Sequence, residues 1–249
     1  MVKNGERNTH TYSLIDIHAH VLPGVDDGAR TTQEACELVE QAAKAGFRAI
    51  VATPHYSRRR GAEGCAEAAE ELRKVIPSGF EIYLGQETYF HEELVDNLKA
   101  GKALTMAGSR YVLVEFDTGV SFQALSRAMR RLLTAGYVPI LAHMERYACL
   151  REEKNLDGIC RSGCLLQMNY ESLEGHWFGS EVRWCRKQVL EGKIHFLGTD
   201  MHRMDYRPPQ ITKAMEWLES AVTRKKLSRH LLKNMTYRNA EKMLQNEKI

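Results

Sequence analysis

Short runs of aliphatic and β-branched residues alternate along this chain with longer stretches whose apolar positions recur every three or four residues. The short runs read as buried strands and the longer stretches as amphipathic helices. Leu14 to Ile17 predicts a first strand. Thr31 then opens a helix with a capping-box pattern, Thr31 with Glu34, and Gly46 stops it. Further strands are expected over 47–52, 80–84, 111–115, 137–142, 164–168 and 194–198. Helices are expected over 62–75, 91–99, 121–135, 152–162 and 180–191, and glycines 136, 163 and 192 close three of them. The last fifty residues predict helices over 210–222, 226–234 and 237–245.

Seven strands, each followed by helix, form the pattern of a parallel sheet with right-handed crossovers. That pattern allows an open sheet or a barrel. No glycine-rich phosphate loop follows the first strand, which argues against a dinucleotide-binding fold. No low-complexity segment or linker divides the chain. One domain over 13–249 is expected, behind a loose tail at 1–12.

The residues that follow the strands carry the chemistry. The first strand runs into His18-Ala19-His20, the second into Thr53-Pro54-His55 and the third into Gly85-Gln86-Glu87. The fourth ends at Glu115 and the fifth in His143-Met144-Glu145-Arg146. The sixth ends near Asn169 and the seventh in Asp200-Met201-His202. In an α/β barrel the C-terminal strand ends share one mouth, so these residues converge there. Their type suits Zn²⁺, Mn²⁺ or Fe²⁺. His18 and His20 are alternate residues, which on an ideal strand point to the same side. Two ions about 4 Å apart can generate a hydroxide and clamp a phosphoryl group. Each of these histidines taken alone reads as a hydrogen-bonded structural residue; their shared position makes the argument. Asp26-Asp27-Gly28 alone is a turn signal; beside a metal cluster, one of its aspartates could reach an ion. Arg146 and Arg207 are candidates for gripping phosphate. Arg58-Arg59-Arg60 reads as a solvated rim. His10, His91, His176, His195 and His230 read as structural or solvated.

Composition narrows the class. The chain has 249 residues, 43% of them hydrophobic and 27% charged, which suits one soluble α/β barrel. A net charge of +3 is too small to argue for nucleic acid. No stretch approaches the roughly 20 apolar residues of a membrane span, and the polar N-terminus has no signal-peptide core. A cytoplasmic protein without membrane insertion is expected. The six cysteines form no CxxC pair and read as reduced, packed thiols. Cys160 and Cys164 lie four apart but lack two further soft ligands for zinc.

At the motifs IDIHAHVLPGVDDGART, ATPH, GQETYF, YVLVEF, AHMERY, QMNYESL and GTDMHRMDYRPP the sequence resembles the polymerase and histidinol phosphatase (PHP) superfamily. Within it, the chain is most similar to bacterial tyrosine-protein phosphatases of the CpsB/CapC/YwqE type. The motifs occur in family order from Leu14 onward. The resemblance implies a distorted (β/α)₇ TIM-like barrel with extra C-terminal helices and a centre of two or three divalent ions. Mn²⁺ is expected, with Fe, Zn, Co or Mg also compatible. It implies that His18, His20, Glu87 and Asp200 hold one ion. Glu87 bridges to a second held with Glu115 and His143, and Asp27, His55 and His202 hold a third. Arg146 and Arg207, with Asp27, take the catalytic positions. The implied substrate is phosphotyrosine on a cognate bacterial tyrosine kinase that regulates capsular or exopolysaccharide synthesis. The oligomeric state stays open. Met144 departs from the family, which more often has Pro or Ile there, and the N-terminal extension is longer than usual.

Three other readings compete. A small-molecule phosphatase, such as one for histidinol phosphate, shares the same metal site. An amidohydrolase commonly places a carbamylated lysine where this chain has Glu115. A non-catalytic metal-binding module would have kept the fold alone. Cysteine-based phosphatase chemistry needs a low-pKa thiolate, and no CxxxxxR segment occurs. Replacing any of the six cysteines with serine is therefore expected to leave phosphatase turnover unchanged; loss of turnover in a folded variant contradicts the metal-centred reading.

Overall fold

The computed structural model describes residues 13–56, 61–175 and 179–249. The expected tail at 1–12 (with His10), Arg58 to Arg60 and His176 lie outside them. The strands are β1 (Leu14–Ala19), β2 (Phe47–Ala52), β3 (Glu81–Leu84), β4 (Glu87–Tyr89), β5 (Tyr111–Glu115), β6 (Val138–Leu141), β7 (Leu165–Asn169) and β8 (Phe196–Gly198). All paired strands run parallel, in the orders β1-β2-β3 and β4-β5-β6-β7-β8. Helices lie between them: α1 (Thr32–Lys44), α2 (Cys65–Arg73), α3 (Leu94–Lys99), α4 (Phe122–Thr134), α5 (Glu153–Arg161) and α6 (Ser180–Leu190). After β8 come α7 (Thr212–Thr223), α8 (Arg229–Lys233) and α9 (Asn239–Leu244).

Hydrogen bonds join the two sheets on both sides. Past the end of β2, Glu87 N–H donates to the Pro54 carbonyl at 3.1 Å and Tyr56 N–H to the Glu87 carbonyl at 2.8 Å. At the other side, Asp200 N–H donates to the His18 carbonyl and His20 N–H to the Met201 carbonyl, both at 2.8 Å. Both junctions run through residues singled out from the sequence.

Period-two alternation puts successive strand residues into different cores. Leu14, Ile50, Ala52, Val112, Val114 and Leu141 join the larger cluster, packed with the helices. Ile15, Ala49, Val51, Tyr111, Leu113 and Ile140 join a smaller one, closed by Ala240 and Met243 of α9. α1 buries Ala35, Leu38, Val39 and Ala42, the spacing of one helix face.

Three differences from the sequence expectation have local causes. The third strand splits in two at Gly85-Gln86, where a Cβ on Gly85 would come within 2.9 Å of Met106 Sδ. Gln86 then leaves the ladder, donating to the Gly61 carbonyl and accepting from Leu104 N–H. The capping box of α1 is half formed. Thr31 accepts from Glu34 N–H at 3.2 Å, but Glu34 is taken by the backbone N–H and guanidinium of Arg30. The last two expected helices join through a π-turn at Asn234–Arg238. Among the described residues no helix is long and apolar enough to cross a membrane.

Gly28 is fixed by close approach. A Cβ there would lie 2.0 Å from the His20 carbonyl oxygen, which accepts from Ala29 N–H. Gly28→Ala is expected to lower stability by about 1–3 kcal/mol, the cost of overpacking, read as a lower urea midpoint at constant slope. An unchanged midpoint would show that this loop yields freely.

Candidate metal centre

β1 ends in a pleat that aims His18 and His20 the same way, and their Nε2 atoms lie 3.3 Å apart. The second partner of each ring fixes the proton. Gln167 Oε1 accepts His143 N–H at 2.6 Å, which identifies that atom as the oxygen. His18 Nδ1, 3.1 Å from the same oxygen, therefore carries the proton. His20 Nδ1 donates to Asp26 Oδ2 at 2.7 Å. His202 Nδ1 donates to the Asp200 carbonyl at 2.8 Å. In the neutral rings, all three Nε2 lone pairs are left pointing inward.

Carboxylates face those lone pairs. Glu87, on β4, sits at the centre and is buried. Its Oε2 lies 3.2 Å from His18 Nε2, 3.3 Å from His20 Nε2 and 3.2 Å from His55 Nδ1. Its Oε1 lies 2.9 Å from His143 Nε2. Asp200 Oδ1 lies 3.5 Å from both His18 Nε2 and His20 Nε2. Glu115 closes the far side, 3.5 Å from His55 and 3.6 Å from His143. Asp27 is 63% exposed and faces the Nε2 atoms of His55 and His202 at 3.6 and 3.7 Å.

So many acceptors in one buried space require positive charge. Burial alone would lower the basicity of His20, but Asp200, Asp26 and Glu87 outweigh it and raise its pKa well above the usual imidazole range. Burial would likewise raise the Glu87 carboxyl, yet His18, His143 and His20 hold it well below the usual range. His202 goes the other way. Burial and the His20 charge push it down to about 4, leaving a neutral ring. Protons or divalent cations can meet the demand, and nitrogen and carboxylate oxygen donors suit the latter. The buried His143 Nδ1 has no hydrogen-bond partner.

Three sets of donor atoms lie close enough to share an ion, each set within 4.8 Å: His20, Asp27, His55 and His202; His18, His20 and Asp200; His55, Glu87 and Glu115. All nine candidate ligands thus meet in one place, His143 joining through Glu87. His20 and His55 each belong to two sets, so the sets overlap more than the three-ion division implied by the resemblance. No cysteine belongs to a set among the described residues. Burial raises the thiol pKa of Cys149 and Cys160, and takes Cys164 to about 11 and Cys185 to about 12.

Arg146 and Arg207 both reach Asp200 Oδ2 at 2.7 Å. They come from different loops and meet at one carboxylate beside the cluster. Two of the residues that bring the walls together, His143 and Asp200, have left-handed backbones with φ of 33° and 53°. Such conformations persist in non-glycine residues only where the surroundings enforce them.

A family model described as capsular polysaccharide synthesis, CpsB/CapC, matches residues 14–245. This chain belongs to the CpsB/CapC family. It is 31% identical to the tyrosine-protein phosphatase CpsB of Streptococcus pneumoniae over 227 residues, 86% of this chain and 93% of that one. It is 30% identical to the tyrosine-protein phosphatase YwqE of Bacillus subtilis strain 168 over 244 residues, 95% of this chain and 93% of that one. Among solved structures it is similar to one described with YwqE and S. pneumoniae CpsB as metal-dependent tyrosine phosphatases. That match has a TM-score of 0.83 and 28% identity, and covers 95% and 96% of the two chains.

The CpsB/CapC motifs also contain residues that support the cluster, of which Asp16 and Gln167 carry no distinct signal in the sequence. Asp16, two positions before His18, accepts from His18 N–H and from Thr199. Gln167 and Asn169 alternate on β7; Asn169 donates to Asp200 Oδ2 at 2.9 Å. Of the two turn aspartates, Asp26 orients: besides His20 it accepts from His55 N–H at 2.9 Å and Gly28 N–H at 3.0 Å. Nothing local separates Asp26 from Asp27. Removing the charge in Asp26→Asn is expected to weaken divalent-metal affinity about 10–100-fold, as outer partners of metal-bound histidines do. Calorimetric titration of the metal-free variant checks this, and wild-type affinity would deny Asp26 that role.

Proposed function

We propose that this chain is a metal-dependent protein-tyrosine phosphatase. The observation that carries the reading is the meeting of three inward imidazole lone pairs and four carboxylates beside Arg146 and Arg207, in a CpsB/CapC chain. Support comes also from the tyrosine phosphatases it is similar to across nearly their whole length. We read the two joined sheets as a single distorted (β/α)₇ barrel, β3 and β4 counting as one interrupted strand, with α7 to α9 as the extra C-terminal helices.

In this reading His18, His20, Asp27, His55, Glu87, Glu115, His143, Asp200 and His202 hold two or three divalent ions, Mn²⁺ by preference. Bound there, such ions supply Lewis acidity and a water acidic enough to give hydroxide near neutral pH. The chain's own contribution is positional. Asp26, Gln167 and the Asp200 carbonyl hold the three imidazoles as neutral ligands of one tautomer. Arg146 and Arg207 direct planar guanidinium groups from Asp200 toward the phosphoryl oxygens and offset their charge. Asp27 is the carboxylate at the entrance. A phenol leaving group, with a pKa near 10, asks less proton donation than an aliphatic alcohol. The substrate is a phosphotyrosine protein, a bacterial tyrosine kinase that controls capsular or exopolysaccharide assembly, in the cytoplasm.

Turnover of a phosphotyrosyl peptide with Mn²⁺ tests the reading, run beside histidinol phosphate. Chelation is expected to abolish turnover, Mn²⁺ to restore it, and His20→Ala to fall to background. Full activity after metal removal, or faster turnover of histidinol phosphate, overturns it.

A further inference from the structure

A groove of about 480 Å³ lies between α6 and α7, away from the metal centre. Helices in parallel βα units run opposite to their strands. The groove follows both helices along this direction, from Arg183 in the first turn of α6 to Arg224 and Lys226 beyond the end of α7, and none of its lining residues is a candidate metal ligand. Trp217 and Leu190 give the groove an apolar floor, and Arg183, Arg186, Arg224 and Lys226 supply its charge. Arg186 is half-buried. Its guanidinium donates to the Leu173 carbonyl at 2.8 Å and lies 5.0 Å from the Trp217 ring centre. No carboxylate pairs with Arg183, Arg186, Arg224 or Lys226 among the described residues. The one acid on the lining, Glu191, is already shared by Lys187 and Lys193 at 3.5 and 3.1 Å.

The half-buried Arg186 guanidinium meets a backbone carbonyl and an indole but no carboxylate, and Arg183, Arg224 and Lys226 beside it are exposed cations without an acidic partner among the described residues. The groove thus carries charge that nothing in the described chain neutralises. Its α6 wall places Arg183, Arg186 and Leu190 at i, i+3 and i+7, a stripe about 10 Å long at 1.5 Å per residue. That length matches about three residues of extended chain. A row of cations beside an indole fits carboxylate side chains with an apolar or aromatic neighbour better than one compact anion.

We propose that the α6–α7 groove is a docking site for an extended acidic peptide segment of the phosphoprotein substrate, separate from the metal centre. The site would hold the protein while its phosphotyrosine reaches the metal centre. The proposal rests on the phosphatase reading for the identity of the partner, but binding at the groove is measurable without turnover.

The probe is a fluorescein-labelled, unphosphorylated peptide with four glutamates around one tyrosine, titrated with the full chain by anisotropy at low salt. Arg183→Glu/Arg224→Glu is expected to weaken binding at least about tenfold, through like-charge repulsion. Trp217→Leu is expected to weaken it less. In parallel, the double variant should raise KM for a phosphotyrosyl peptide carrying the same acidic flank while leaving p-nitrophenyl phosphate turnover unchanged. Equal binding by wild type and double variant overturns the proposal. So does binding of phosphatidylserine vesicles, but not peptide, that depends on Arg183 and Arg224. If no phosphate ester is turned over yet the peptide binds through Arg183 and Arg224, the docking site stands and the phosphatase reading falls.

Discussion

The centre of this molecule is held by a shortage of protons. Glu87, Asp200 and the Nε2 atoms of His18 and His20 crowd into one buried space as acceptors, separated by 3.2 to 3.5 Å. Hydrogen bonds among themselves cannot satisfy them while the rings stay neutral. Each imidazole's one proton is directed outward, to Gln167 or Asp26. The arrangement is stable only with added positive charge, and two buried or half-buried guanidinium contacts at Asp200 supply part of it. Much of the surrounding structure serves to keep those outward bonds in place.

That constraint explains why backbone and side-chain roles overlap so closely here. The bonds that join β8 to β1 pass through His18, His20, Asp200 and Met201, so sheet pairing and donor geometry are set by the same atoms. The left-handed turns at His143 and Asp200 redirect the chain where it leaves β6 and β8. Close packing leaves little slack: a Cβ at Gly198 would lie 3.0 Å from both His18 Cβ and Gln167 Nε2. Small residues beside the centre are thus part of its precision.

Much of this was legible in the sequence because strand ends in parallel βα folds are both easy to locate and chemically exposed. His18, His55, Glu87, His143 and Asp200 each follow an aliphatic run that periodicity alone identifies. The break between β3 and β4 was not legible, since Gln86 there bonds to Gly61 and Leu104, partners that only the folded chain brings near. The different tasks of Asp26 and Asp27 were hidden for a similar reason. Adjacent aspartates in a turn are equivalent until a folded loop buries one against His20 and leaves the other facing solvent. Gln167 looked like an ordinary polar residue in a strand, because the tautomer it enforces exists only across the assembled sheet.

The direct bond between Asp16 and Thr199 spans 183 residues and lies beneath the first histidine of the cluster. During synthesis the wall built on β1 emerges well before the wall from β8 that closes it. A ribosome-bound fragment therefore exposes an imidazole-rich edge without its carboxylate counterpart from β8. Closing the pocket is therefore a long-range event, complete only when two segments 183 residues apart have paired.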